Sequence, residues 1–146
     1  MQAKKIMTPD VECISPEMPI QDAAGKMKSL DVGFLPVCEN DKLIGTITDR
    51  DIVLRVVAEG RNIGDCTARD VMGQDQDVCW RYDDDSVDDI ADYMAEKTIR
   101  RVLILNHDKR LVGVISIGDL AQARGEQKKA GETIKEISEA PSLEAA

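Results

Sequence analysis

Aromatic residues make up only 3% of this 146-residue chain: Phe34, Trp80, Tyr82 and Tyr93. Four rings are too few to build a stacking platform along a single nucleic-acid strand. Basic residues are the minority, 19 against 28 acidic, for a net charge of −9. A phosphate-backbone interface needs a basic face, so nucleic acid is not an expected partner. One small anionic ligand in a locally basic pocket is compatible with that sum. No apolar run approaches the ~18 residues of a membrane span. Residues 1–10 hold two lysines but no apolar stretch of the secretory kind. The expectation is a cytoplasmic protein with no membrane contact.

Chemistry-bearing residues are equally scarce. His107 is the sole histidine, and Cys13, Cys38, Cys66 and Cys79 form no C-x-x-C pair. That spacing disfavours a structural zinc site, and in a cytosolic chain the thiols are expected to be reduced and mostly buried. There is no G-x-x-x-x-G-K-S/T phosphate loop and no visible nucleophile–base–orienter set. No catalytic residue, no metal site and no enzyme activity are expected.

What the chain does contain is a copy of itself. Ile6-Met7 matches Val71-Met72, and residues 20–27 (IQDAAGKM) match 87–94 (VDDIADYM). Residues 32–37 (VGFLPV) match 99–104 (IRRVLI), and 43–52 (LIGTITDRDI) match 111–120 (LVGVISIGDL). Each copy reads as β-α-β-β-α. Residues 11–15 and 78–82 are extended. Ile20, Ala23, Ala24, Met27 and Leu30 then recur on one helical face, as do Val87, Ile90, Ala91 and Met94. Apolar runs at 34–38 and 43–48, and at 102–105 and 111–116, are each split by polar turn residues and predict two hairpins. A second helix begins near Asp49 and near Ile117. The fold class is α+β, with repeats at 5–59 and 70–124, a linker at 60–69 and a tail at 125–146. The tail is expected to hold a helix ending near Pro141, then to fray. A single copy buries too little to stand alone, so the copies are expected to pack on each other.

Two such repeats, each closed by Gly-hydrophobic-x-Thr/Ser-x-x-Asp, resemble a tandem cystathionine-β-synthase (CBS) domain pair. Gly45-Thr-Ile-Thr-Asp-Arg-Asp51 and Gly113-Val-Ile-Ser-Ile-Gly-Asp119 carry the resemblance, with Gly33-Phe-Leu-Pro-Val37 and Ile6-Met-Thr-Pro-Asp10. It spans residues 5–124, about four-fifths of the chain. It implies two sheet-packed repeats related by a pseudo-two-fold axis. It further implies a stand-alone bacterial-type regulatory module, paired as a homodimer, sensing an adenosyl ligand for a target protein the sequence does not identify. AMP, ADP, ATP or S-adenosylmethionine are the ligand candidates, with magnesium as a companion and no required cofactor.

The resemblance groups the site residues into two clefts. Cleft one joins Thr46, Thr48, Arg50 and Asp51 to Val78, Ile99, Arg100 and Arg101. Cleft two joins Ser116 and Asp119 to Met7, Thr8, Val11, Val32 and Gly33. A carboxylate can accept from both ribose hydroxyls, a Ser/Thr hydroxyl can hold a phosphate, and arginine can grip one in a bidentate fork. On this grouping cleft one is the stronger, because cleft two has only Lys4 and Lys5 as nearby cations and Asp10 and Glu12 as nearby acids. The alternative for both motifs is structural: Thr48/Asp51 and Ser116/Asp119 as capping boxes, in a ligand-free dimerisation or docking scaffold. Two departures from the pattern stand out, Leu103 opposite Pro36 and Gly73 opposite Thr8. The run Asp83-Asp84-Asp85 is read as acids at a helix start, capped by Asp85 or Ser86, with side chains that diverge rather than converge on a metal.

Overall fold

The computed structural model describes residues 1–73, 78–123 and 133–138. Its strands are β1 (Thr8–Pro9), β2 (Phe34–Glu39), β3 (Lys42–Thr48), β4 (Trp80–Tyr82), β5 (Arg101–Leu105) and β6 (Leu111–Ser116). Its named helices are α1 (Ile20–Leu30), α2 (Asp49–Ile52), α3 (Ala68–Val71), α4 (Val87–Lys97) and α5 (Ile117–Gln122). Helix α2 runs on through a π-helical turn, Val53–Val57. Strand order is β1-β6-β5-β4 in one sheet and β2-β3 in the other.

The repeats divide the chain one way and packing divides it another. One compact unit, here the split unit, joins Met1–Val11 to the chain from Trp80 onward; the other, the continuous unit, is Glu12–Cys79. The opening segment of each repeat thus lies in the unit built on the other repeat's hairpin. In the split unit β1 pairs antiparallel with β6, Thr8 opposite Val114 and Pro9 opposite Gly113. In the continuous unit the corresponding segment is held by the Gly73 N–H donating to Thr46 O at 3.0 Å.

Both helical faces emerge at the predicted positions except at the end of α1, where Leu30 is exposed, and at Ala24, which is half-buried. Ile20, Ala23 and Met27 of α1 are buried, with Leu35, Val37 and Ile47 in the same core. Val87, Ile90, Ala91 and Met94 of α4 are buried, with Val102, Ile104 and Ile115. Helices α1 and α4 both stop at a left-handed residue, Asp31 (φ 55°) and Thr98 (φ 56°). Left-handed geometry is uncommon for a β-branched residue such as threonine. Its recurrence at matching places marks how closely the repeats agree. The expected strand at 11–15 contracts to a single parallel bridge, Ile14 to Val37. Its counterpart Trp80–Tyr82 runs parallel to β5. Of the tail, residues 133–138 are helical, with Thr133 and Ile137 buried. The expected helix end near Pro141 and the frayed terminus lie outside the described residues.

Candidate functional site

Each Ser/Thr-x-x-Asp motif sits where a strand becomes a helix, and each closes a capping box. Thr48 Oγ1 accepts from the Asp51 N–H at 3.0 Å, and Asp51 Oδ2 accepts from the Thr48 N–H at 2.9 Å. Ser116 Oγ accepts from the Asp119 N–H at 3.2 Å, and Asp119 Oδ2 accepts from the Ser116 N–H at 2.8 Å and from its hydroxyl at 3.0 Å. Asp70 Oδ2 likewise accepts from the Thr67 N–H at 2.9 Å, outside either motif. Capping alone therefore does not set the motif positions apart.

The second carboxylate oxygens differ between the two motifs. Asp51 Oδ1 lies 3.8 Å from the Arg55 guanidinium, whose other nitrogen donates to Val71 O at 2.7 Å. Asp119 Oδ1 has no hydrogen bond or ion pair among the described residues. Asp119 also borders an open depression of about 470 Å³, lined with Met1, Lys5, Ile6, Gln122 and Ala123. The N-terminal segment is fixed there by its backbone. The Ala3 N–H donates to Asp85 O at 2.8 Å, the Lys4 N–H to Asp83 O at 2.9 Å, and the Val87 N–H to Met1 O at 2.8 Å. Ala3 is fully buried. A short 3-10 turn, Ala3–Lys5, then brings Lys5 to the wall that Asp119 shares.

The glycine of each motif is explained by the segment crossing it. A Cβ on Gly113 would stand 2.5 Å from Met7 Sδ and 2.9 Å from the Thr8 carbonyl oxygen; one on Gly45 would stand 2.9 Å from Met72 Sδ and 3.1 Å from Gly73 O. Met7 and Thr8 accordingly share the split unit with Ser116 and Asp119, as does half-buried Val11. Thr46, Thr48, Arg50 and Asp51 share the continuous unit with Val78.

The remaining members of each group lie in the other compact unit from the motif they were grouped with. Val32 and Gly33 belong to the continuous unit, where Gly33 O accepts from the Asp49 N–H at 2.9 Å and Phe34 pairs with Thr48. Ile99, Arg100 and Arg101 belong to the split unit, where Arg100 O accepts from the Ile117 N–H at 3.0 Å and Arg101 pairs with Ser116. The cause is antiparallel register: the start of the first hairpin strand must face the end of the second. Each hairpin therefore returns its own opening residues to its own motif. The paired arginines stand beside Ser116, and Gly33 stands beside Thr48.

The acidic run is also redistributed. Ser86 caps α4, its Oγ accepting from the Asp89 N–H at 3.1 Å, while Asp85 Oδ2 accepts from the Tyr82 N–H at 3.0 Å. Asp83 and Asp84 do not diverge from everything: with His107 they place ligand-type atoms within 4.8 Å of one another. The β5–β6 turn brings His107 there, stacked on Tyr82 and 2.9 Å from Asp84 Oδ2. The His107 bond holds the exposed Asp84 carboxyl below its ordinary pKa. Sequence reasoning also missed Cys13 and Cys38, whose Sγ atoms lie 2.8 Å apart.

Comparison with known proteins gives the following likenesses. The CBS domain family pattern matches residues 3–58 and 82–126. The chain is 38% identical over 135 residues to the CBS domain-containing protein YhcV of Bacillus subtilis, covering 92% of this chain and 94% of that protein. It superposes on the crystal structure of Hypoxic Response Protein I, described with two coordinated zinc ions, at a TM-score of 0.75 and 30% identity, covering 85% of this chain and 99% of that one. It also superposes on the CBS domain protein PAE2072 of Pyrobaculum aerophilum complexed with AMP, at a TM-score of 0.70 and 25% identity, covering 90% and 99%. No helix among the described residues is long and apolar enough to cross a membrane.

Proposed function

The chain belongs to the CBS domain family, and on that premise we propose that it is a non-catalytic regulatory module that binds an adenosyl compound at Asp119. The observation that carries this reading is the depression lined by both Lys5 and Asp119, together with an Asp119 Oδ1 that has no hydrogen bond or ion pair among the described residues. Asp119 Oδ1 would accept from the ribose hydroxyls. Lys5, Ser116 and the Arg100/Arg101 pair would supply charge and a hydroxyl for the phosphate. The AMP complex of the Pyrobaculum relative supports AMP as the first ligand to try. The Asp51 motif is the weaker of the two, since Arg55 already takes up its second oxygen. There a purely structural role, as in the scaffold alternative, has its best support.

A thermal-shift titration with AMP, ADP, ATP and S-adenosylmethionine, each with and without magnesium, tests this reading. A ligand at about 100 times its dissociation constant adds about 2.7 kcal/mol to the folded state, or about 5–15 °C for a chain of this size. AMP is expected to give such a rise. If none of these compounds moves the transition, the scaffold reading replaces this one.

We further propose that the regulatory unit is a homodimer paired through the outer face of the 49–57 helix. Val53, Leu54 and Val57 are 53%, 45% and 65% exposed there, an apolar group that favours burial by a second copy. Sedimentation is expected to show a dimer for the wild type and a monomer for Val57→Asp; a dimer in both would rule this face out. The target protein would read the ligand's effect through a shift in populations.

A further inference from the structure

We propose that Cys13 and Cys38 close a reversible intramolecular disulfide, so that the continuous unit carries a redox-operated staple. Both residues are half-buried and their Sγ atoms are 2.8 Å apart, about 0.8 Å beyond the ~2.0 Å of a covalent S–S bond. Backbone bonds hold the two segments in place. The Ile14 N–H donates to Pro36 O at 2.9 Å, and the Cys38 N–H donates to Ile14 O at 3.0 Å. The ladder shifts register between Val37 and Cys38. A bulge of this kind re-aims a side chain, and Cys38 meets Cys13 there although Ile14 pairs with Val37. Cys66, by contrast, is buried and its Sγ donates to Asn62 O at 3.4 Å.

The pair is also chemically unequal. The Cys13 pKa is lowered because its thiolate is held by the Cys38 S–H, whereas that same bond pushes Cys38 up, with burial and the Asp41 charge adding to the rise. A thiolate on either sulfur is held by the other's S–H and can open the exchange. With glutathione disulfide as oxidant, the Cys13 thiolate attacks one glutathione sulfur and expels a glutathione thiolate. The Cys38 thiolate then attacks the Cys13 sulfur of the mixed disulfide and expels the second. The two protons lost by the cysteines end on the two glutathione thiolates. Two cysteine thiols are oxidised and one glutathione disulfide is reduced. The bond would enclose α1 and tie the chain before it to the far end of β2.

The test is native oxidation with glutathione disulfide, read by thiol titration and intact mass. The count is expected to fall from four titratable thiols to two, with a product about 2 Da lighter and restored by dithiothreitol. Trypsin, cutting after Lys26 and Lys28, is expected to release the Cys13 and Cys38 peptides joined. The oxidised protein is expected to melt about 5–10 °C higher, and Cys38→Ser to abolish both changes. Four thiols remaining, a persistent glutathione adduct, or a cross-link through Cys66 or Cys79 would each overturn the proposal. The readout on unmodified protein holds even if the serine variant folds poorly.

Discussion

Gly113→Ala is expected to remove about 2–3 kcal/mol of stability, a loss at the upper end for a single added methyl group. Three atoms stand in the way of the new Cβ: Met7 Sδ at 2.5 Å, Met7 Cγ at 2.8 Å and Thr8 O at 2.9 Å. A methionine side chain can swing aside. The carbonyl oxygen cannot, because β1 is pinned to β6 by the Thr8–Val114 and Pro9–Gly113 pairing. The methyl group must therefore lift the strand. Gly45→Ala meets Met72 Sδ at 2.9 Å and its nearest backbone atom only at 3.1 Å, so about 1 kcal/mol is expected there. Denaturant unfolding of the two variants compares them directly. Adding Met7→Ala to Gly113→Ala is expected to recover part of the loss and leave the share due to Thr8. Equal stabilities for Gly113→Ala and wild type would show that the segment crosses the motif less closely than described.

Asp119→Ala is expected to weaken AMP binding about 10- to 100-fold, the scale of one or two hydrogen bonds to a charged group. It also breaks a capping box, at a cost of about 0.5–2 kcal/mol. Asp51→Ala breaks the same kind of box at the same kind of strand–helix junction, so it serves as the matched control. Both variants are expected to lose similar stability, and only Asp119→Ala to lose ligand. Calorimetric titration of the pair separates capping from binding. Should Asp51→Ala be the variant that loses AMP, the ranking of the two motifs is reversed. Should neither lose it, neither carboxylate is the ribose acceptor.

Much of the fold was legible because its determinants are local. The i, i+3, i+4, i+7 spacing in 20–30 and 87–97 and the two split apolar runs depend on neighbours within one element. The capping boxes were legible for the same reason, since partners lie three residues apart. The exchange of N-terminal segments was implied by the family resemblance alone; no local pattern in 1–11 says that Met7 must lie on Gly113. The regrouping of Arg100 and Arg101 to Ser116, and of Gly33 to Thr48, follows from hairpin register and was available from the strand boundaries. The cysteine pair was least accessible, because a parallel bridge and a bulge together bring residues 25 positions apart into contact. Neither leaves a mark in the spacing of the cysteines. His107 falls between the apolar runs 102–105 and 111–116, so its turn was legible, but its bond to Asp84 depends on where β4 ends relative to the β5–β6 loop.

Binding of AMP beside Asp119 is tested most directly by an AMP titration followed residue by residue through backbone amide resonances. Saturable shifts are expected at Lys5, Ile6, Ser116, Ile117, Gly118 and Asp119, larger than any at residues 45–51. Shifts confined to the Thr48–Asp51 motif, or none at millimolar AMP, would contradict it.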